Sequence, residues 1–246
     1  MRYISTRWAA FQPPECGRMQ EFLPHLEVLP AAQSRLWSEL SAVPEEFVLY
    51  GGTALALHLG HRKSLDFDFF GNNPLSLPKL EAAIPFLEGA RIIRREENTL
   101  TALINRGGFV KVSFFGVPKL PRLGPPHIAG DNRLQVASLL DLAGTKASVV
   151  QLRAEAKDYL DIDALMRLGN IGLPTALAAA QKLYGSSFNP VITLKALSHF
   201  GDGNLRTLSE DIKDRLAAAA REVDLDYLPA IDGPSRRASA EYGPEP

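Results

Sequence analysis

The sequence predicts an α/β (α+β) region followed by an α-helical region. Short runs of aliphatic and aromatic residues, typical of strands, recur between positions 47 and 115. The stretch 116–130 holds four prolines and few apolar residues, which is typical of a boundary between two regions. Beyond this stretch the apolar residues follow the spacing of helices up to position 222.

The first elements lead into a glycine pair. Residues 1–45 are predicted to be an N-terminal helical extension, in which only 31–41 has clear helical spacing. Phe47–Tyr50 is the first predicted strand of an α/β core that covers 46–116. Thr53 is expected to cap the short helix that follows, and Gly60 to end it.

The remaining elements follow the same patterns. The rest of the core is predicted as strands at 65–70, 91–95, 99–104 and 109–115, with helical material at 77–87. A proline-rich linker, 117–130, precedes an α-helical domain at 131–228, with helices at 134–152, 157–168, 174–184, 191–198 and 209–222. The tail, 229–246, is rich in proline, glycine, serine and charged residues and is predicted to be disordered.

Composition excludes several classes of protein. The formal net charge of −1 over 246 residues predicts no general attraction to nucleic acid or to anionic membranes. A lone cysteine, Cys16, excludes an intramolecular disulfide and fits a reducing cytoplasm. We expect a cytoplasmic protein with no membrane partner, because no apolar run approaches the roughly 20 residues of a membrane span and no secretory signal is evident.

Two aspartates alternate with phenylalanines in the predicted strand 65–70. Because strand side chains alternate between faces, one face is expected to turn to a core, with Leu65, Phe67 and Phe69. The other face carries Asp66, Asp68 and Phe70. Carboxylates that converge raise each other's pKa unless a cation lies between them, and Mg²⁺ prefers such oxygen ligands together with substrate phosphates. The pair therefore predicts a metal site, although solvated acids paired with Arg62 or Lys63 would fit the same pattern.

The glycine pair predicts a phosphate site. A strand, the turn Gly51-Gly52 and a helix N-terminus together present free backbone N–H groups, and Thr53 adds a hydroxyl. A tight turn without a ligand is the alternative. The helix returns the chain to the aspartate strand, so a phosphate cradle and a metal-binding pair can be neighbours, which is the apparatus of metal-assisted phosphoryl or nucleotidyl transfer.

A second group of charged residues lies in the helical region. Asp158 and Asp161 share a helix face at a spacing of three, and Lys157 can pair with Asp161 at a spacing of four. Lys146 follows a strongly apolar stretch, so it is expected either to be partly buried and directed at an anion or to extend to the surface. A solvated ion pair on an amphipathic helix is the alternative for the aspartates.

Together these motifs resemble the nucleotidyl transferase AbiEii/AbiGii toxin family, which has the DNA polymerase β-like nucleotidyltransferase fold. The resemblance spans about 36–228 and depends on these segments: GGTAL at 51–55, HRKSLDFDFF at 61–70, DLAGTK at 141–146, Arg153, and KDYLD at 157–161. It implies a mixed sheet with flanking helices and an active site whose residues have the following roles. The implied catalytic residues are Asp66, Asp68, Lys146 and Asp161; the implied nucleotide-binding residues are Gly51, Gly52, Thr53, Ser64, Lys146 and Asp158; and the implied metal ligands are Asp66 and Asp68.

The resemblance also implies a biological role. It implies a toxin of a toxin–antitoxin or phage-defence system that uses Mg²⁺, or Mn²⁺, and a nucleoside triphosphate. The implied acceptor is tRNA, another RNA or a protein, and the implied partner is a cognate antitoxin. Basic residues that such an RNA acceptor would contact are Arg91, Arg94, Arg95, Arg106 and Lys111, unless these are ordinary solvated charges.

One position departs from the usual pattern of nucleotidyltransferases. Many of them supply a third carboxylate from a later strand, and here Ser113 stands at the matching place in strand 109–115. Asp161 is a candidate general base instead. A catalytically inactive module that binds a nucleotide or an antitoxin is therefore an alternative, and a phosphatase with Asp66 as nucleophile and Asp68 as acid is a third.

Overall fold

One eight-stranded mixed sheet organises the protein, of which the computed structural model describes residues 20–231. The strands are β1 (Glu21–Phe22), β2 (Phe47–Tyr50), β3 (Asp66–Gly71), β4 (Arg91–Glu96), β5 (Thr99–Asn105), β6 (Phe109–Gly116), β7 (His127–Ala129) and β8 (Gln135–Val136). Their order across the sheet is β1-β7-β8-β2-β3-β6-β5-β4. The mixed α/β fold predicted from the sequence is confirmed.

The aspartate strand lies in the middle of this sheet. β3 pairs with β2 in the antiparallel sense on one side and with β6 in the parallel sense on the other. β5 and β4 continue the sheet beyond β6 as antiparallel neighbours. The strands β2 to β6 begin and end within two residues of their predicted bounds, because their alternating or continuous apolar pattern extends over four to eight residues.

Three short strands complete the sheet beside β2, and the sequence did not predict them. β1 lies in the predicted N-terminal extension, β7 in the predicted linker, and β8 at the start of the helix predicted from position 134. β8 pairs with β2 through Leu49 and Val136, so the helix begins later, after Ser138, whose hydroxyl accepts a hydrogen bond from the Asp141 N–H. Strands of two or three residues are too short for a periodic pattern, and their pairing depends on tertiary contacts.

Three helices lie between the strands of the first half of the described chain, and five follow the last strand. They are α1 (Ala31–Trp37), α2 (Gly51–Leu59), α3 (Leu77–Ala83), α4 (Leu139–Val149), α5 (Ala156–Arg167), α6 (Leu173–Tyr184), α7 (Pro190–Ala196) and α8 (Glu210–Glu222). One cluster of buried apolar side chains includes residues from the sheet and from α4, α5, α6 and α8, and partly buried side chains of α7 pack against it. The division into domains stays a prediction.

Two predictions lie wholly or partly outside the described residues. The tail predicted to be disordered begins at 229, and residues 232–246 are not described. The first 19 residues, with Cys16, are not described either. In the part of the chain that is described, no helix has both the length and the apolar character required to cross a membrane.

Candidate active site

The two aspartates share one face of β3, as predicted. Phe67 and Phe69 are fully buried on the opposite face, and Asp66 and Asp68 are partly exposed. The prediction was wrong for Leu65, which precedes the strand and is 68% exposed instead of facing the core. Both carboxylates therefore open onto the same partly solvated surface of the sheet.

The neighbouring strand β6 places two polar residues beside the acids. Lys111 lies opposite Asp66, and its Nζ is 2.8 Å from Asp66 Oδ2. Ser113 lies opposite Asp68 in the register of the two strands. Burial raises the pKa of Asp68, and the nearby Ser113 hydroxyl and the charge of Lys111 offset only part of that rise. Ser113, which is buried, thus occupies the place on β6 that matches the third carboxylate of many nucleotidyltransferases.

The glycine turn lies directly beside Asp68. β2 ends at Tyr50, which is opposite Asp68, and α2 begins at the next residue. Gly51 has φ +78°, a conformation that favours glycine, and a Cβ there would lie 3.4 Å from Asp68 Oδ2. The N-terminus of α2 and the acid pair are thus adjacent, as the sequence predicted for a phosphate cradle and a metal-binding pair.

Thr53 has a different role from the predicted one. It does not cap α2, because the helix begins at Gly51 with Tyr50 as the capping residue. Its hydroxyl is buried and lies 2.8 Å from Ser64 Oγ, and it also hydrogen-bonds to the Asp66 carbonyl. Thr53 and Ser64 therefore bind the start of β3 to α2, and the Thr53 hydroxyl already has partners within the protein. Gly60 ends the helix in the left-handed conformation, as predicted.

A buried ion cluster joins α4 to α5. Lys146 is 5% exposed, and its Nζ lies 2.8 Å from Asp158 Oδ1 and 2.6 Å from Asp161 Oδ2. Both aspartates are fully buried, and Arg153 Nε donates to Asp158 Oδ2 at 2.8 Å. The solvated ion pair considered for this helix is wrong, because Lys157 pairs with Glu155 and the aspartates are internal. The predicted contact between Lys146 and nucleotide phosphates stays a prediction.

Asp161 connects this cluster to the loop before β3. Its Oδ1 accepts hydrogen bonds from His61 Nε2 at 2.7 Å and Arg62 Nε at 2.6 Å, and its Oδ2 accepts one from Arg62 Nη2 at 2.8 Å. Burial raises the pKa of Asp161, but the hydrogen bonds from His61 and Arg62 and the charge of Lys146 outweigh it and hold that pKa well below its usual range. So weak a base favours a positioning role for Asp161 over the predicted general-base role.

Arg62 completes the path from the ion cluster to the glycine turn. A Cβ at Gly52 would lie 2.5 Å from Arg62 Nη2, so the guanidinium packs across the bare backbone of that glycine. The sequence indicates Arg62 only as a counter-ion for the acid strand, whereas in the structure it pairs with Asp161. Only tertiary contact brings these two residues together, since they are 99 positions apart.

The residues predicted to contact RNA are mostly paired with acids. Arg94 hydrogen-bonds to Glu96, Arg95 pairs with Glu81, and Arg106 Nε lies 2.6 Å from Glu39 Oε1. Of the five, Lys111 is paired with Asp66, and only Arg91 has no ion pair within residues 20–231. The strand register puts Arg94 in one row with Thr101, Ser113 and Asp68. The Arg94 side chain therefore lies on the same face of the sheet as the acids.

The acid pair fits a hard divalent cation. Its donors are carboxylate oxygens, and within residues 20–231 no group of three or more histidine, cysteine, aspartate or glutamate side chains could hold a metal ion by itself. A site with two carboxylates needs further oxygen ligands, and substrate phosphates commonly supply them for Mg²⁺. The adjacent N-terminus of α2 is where such phosphates would lie.

Solved structures with the same fold include two relevant proteins. MenT4, a nucleotidyltransferase toxin from Mycobacterium tuberculosis, superposes with a TM-score of 0.54 at 16% identity and covers 82% of this chain and 84% of its own. A protein from H. pylori described as a nucleotidyltransferase gives a TM-score of 0.52 at 16% identity and covers 77% of this chain and 92% of its own. The fold is therefore that of nucleotidyltransferases.

The family follows from the sequence profile. The profile of the family described as nucleotidyl transferase AbiEii toxin, type IV toxin–antitoxin system, matches residues 35–236, and the chain belongs to this family. It is a nucleotidyltransferase, which confirms the resemblance and leaves the phosphatase alternative without support. An uncharacterized protein from Aquifex aeolicus is 32% identical over 170 residues, which make up 68% of this chain and 80% of the relative.

Proposed function

We propose that this protein is a toxin that transfers a nucleoside monophosphate from a nucleoside triphosphate to an RNA acceptor, tRNA in the simplest case, in the cytoplasm. Asp66 and Asp68 hold the divalent cation, Mg²⁺ or Mn²⁺. The observation that carries the proposal is that the glycine turn and the acid pair are adjacent. A Cβ at Gly51, at the N-terminus of α2, would lie 3.4 Å from Asp68 Oδ2. A protein acceptor is the second possibility to test.

The chemistry follows from these positions. The acceptor hydroxyl attacks the α-phosphorus in line and gives up its proton to water. A new P–O bond forms, and the bond from the α-phosphorus to the bridging oxygen breaks so that pyrophosphate leaves. The bound metal supplies electrostatic stabilisation of the charge that develops on the phosphates. Backbone N–H groups of Gly51 and Gly52 face the triphosphate, and Arg62 adds positive charge beside them. Lys146 and Asp161 hold Arg62 and the loop before β3 in place.

Substitution of the acids tests the proposal. We expect Asp66→Asn and Asp68→Asn each to lower transfer of label from an α-labelled triphosphate by at least a hundredfold, because a carboxamide cannot replace the charge of a carboxylate ligand. Each nucleotide is offered with Mg²⁺, total tRNA and total protein. The matched control is Asp214→Asn on the exposed surface of α8, which should keep full activity. Full activity in either site variant would contradict the assignment.

One observation favours a second candidate. Ser113 is 2% exposed and lies where many nucleotidyltransferases supply a third carboxylate, so no further acid is available there as a base. A module that binds a nucleotide or an antitoxin without turnover would need none. Binding of a labelled triphosphate without transfer to RNA or protein would support this candidate. Co-purification with the product of a neighbouring gene would test the antitoxin partner.

A further inference from the structure

Lys111 is a built-in positive charge within the proposed metal site. Its Nζ lies 2.8 Å from Asp66 Oδ2, and the two side chains are 39% and 43% exposed, so the pair lies at the open surface of the site. The pairing follows from the sheet itself, because Lys111 is the register partner of Asp66 on β6. Neither side chain has to leave its strand position to form the contact.

This contact limits how many metal ions the acids can hold. Two-metal sites place ions about 3.5–4 Å apart and share carboxylates between them. Here Asp66 Oδ2 is occupied by an ammonium, which leaves Oδ1 and the Asp68 carboxylate for cations. The next residue on this face of β6 is Ser113, the register partner of Asp68, which offers only a neutral hydroxyl. On this face, β3 and β6 thus carry two carboxylates and one ammonium.

We infer that the site binds a single divalent cation and that the Lys111 ammonium takes the place of the second. This inference rests on the proposed function, and it assigns Lys111 as a positioning residue that neutralises Asp66 and restricts the cation to the side of the site nearest Asp68 and the Gly51 turn. Without Lys111, both carboxylates would lack a counter-charge and all their oxygens would be free for cations. The Lys111 ammonium occupies Asp66 Oδ2 and offsets one negative charge, so less negative charge remains to hold a second divalent cation.

Metal stoichiometry tests the inference apart from activity. The probe is Mn²⁺, titrated by calorimetry and electron paramagnetic resonance with and without an α,β-methylene triphosphate that cannot be transferred. We expect one Mn²⁺ per chain in the complex with the analogue and no Mn²⁺–Mn²⁺ coupling. Lys111→Met should tighten Mn²⁺ binding to the nucleotide-free protein at least tenfold, because it removes a like charge next to a ligand.

Two controls separate charge from structure. Lys111→Arg keeps the positive charge and should keep weak Mn²⁺ binding with one ion per complex. Lys63→Met removes a charge from the exposed loop before β3 that is not paired with Asp66, and it should leave Mn²⁺ binding within twofold of the original protein. Urea unfolding of each variant confirms that it is folded.

The outcomes distinguish this inference from the proposed function. Two coupled Mn²⁺ ions in the original protein, or unchanged Mn²⁺ affinity in folded Lys111→Met, would overturn the role of Lys111 while the nucleotidyl transfer proposal stands. No Mn²⁺ binding at all, or binding that survives Asp66→Asn and Asp68→Asn, would overturn the metal site in both proposals.

Discussion

Replacement of Gly52 by alanine tests the path that joins the ion cluster to the glycine turn. The new Cβ would lie 2.5 Å from Arg62 Nη2, whereas ordinary contact begins at 3.4 Å, so the guanidinium must retreat by roughly 0.9 Å. A retreat of that size away from Asp161 would lengthen the 2.8 Å hydrogen bond from Arg62 Nη2 to Asp161 Oδ2 beyond bonding distance.

The magnitude follows from two opposing effects. Loss of one hydrogen bond to a charged group costs about 1.5–3 kcal/mol, and alanine in place of glycine in a helix stabilises by up to about 1 kcal/mol. We therefore expect Gly52→Ala to lower the free energy of unfolding by about 0.5–3 kcal/mol. In an Arg62→Ala background the clash is absent, and the same substitution should become neutral or stabilising by up to about 1 kcal/mol.

Urea unfolding followed by circular dichroism measures the free energy of unfolding of four proteins: the original, the two single variants and the double variant. The difference between backgrounds isolates the contact between residues 52 and 62. An equal loss of stability in both backgrounds would show that the guanidinium does not lie across Gly52, and the proposed path from Asp161 to the phosphate cradle would then be wrong.

Three further predictions concern stability. Burial lowers the pKa of His58 to about 4, and the hydrogen bond to Ala137 only partly offsets that shift. The unfolded chain, with a pKa of about 6.5, therefore binds the proton first as pH falls. The stability that neutral His58 contributes is fully present above pH 6.5 and is reduced by about 2 kcal/mol at pH 5, and urea unfolding of His58→Gln should show a correspondingly smaller drop between pH 7.5 and pH 5. Lys146→Met should lower the free energy of unfolding by about 3–5 kcal/mol because it leaves two buried carboxylates without their shared cation, so loss of activity in this variant would not by itself show a catalytic role. Thr53→Val should cost about 1–3 kcal/mol in urea unfolding and Thr53→Ser much less, because only serine keeps the hydroxyl that hydrogen-bonds with the Ser64 hydroxyl and the Asp66 carbonyl.

The parts of the fold that were predicted correctly are those with a local pattern. The alternation of phenylalanine and aspartate in β3 required one face to be buried and the other to carry the acids, and this is how the strand lies. Gly60 ends α2 because its left-handed conformation is costly for other residues. The two-residue strands β1 and β8 could not be predicted, since their backbone groups pair only with strands that are distant in sequence.

The residues of the candidate site also divide into those that were predicted from nearby sequence and those whose partners only folding brings together. Asp66, Asp68 and the glycine turn were predicted from residues close in sequence, and the structure places the acids and the turn side by side. The partners of Asp158 and Asp161 were not predicted. A spacing of three on a helix says that two side chains share a face, but whether that face meets water or a lysine from α4 depends on how the helices pack.

The sequence by itself determined which strand carries the acids, where a glycine turn leads from strand to helix, and the family to which the chain belongs. Tertiary structure alone decided the electrostatics: that Lys146 is buried between two aspartates, that Arg62 lies between Asp161 and Gly52, and that Lys111 neutralises Asp66. The physical reason is the distance along the chain over which each effect acts. Alternation and turn chemistry act over a few residues, whereas the free energy of a charge depends on its burial and on partners that folding brings from remote parts of the chain.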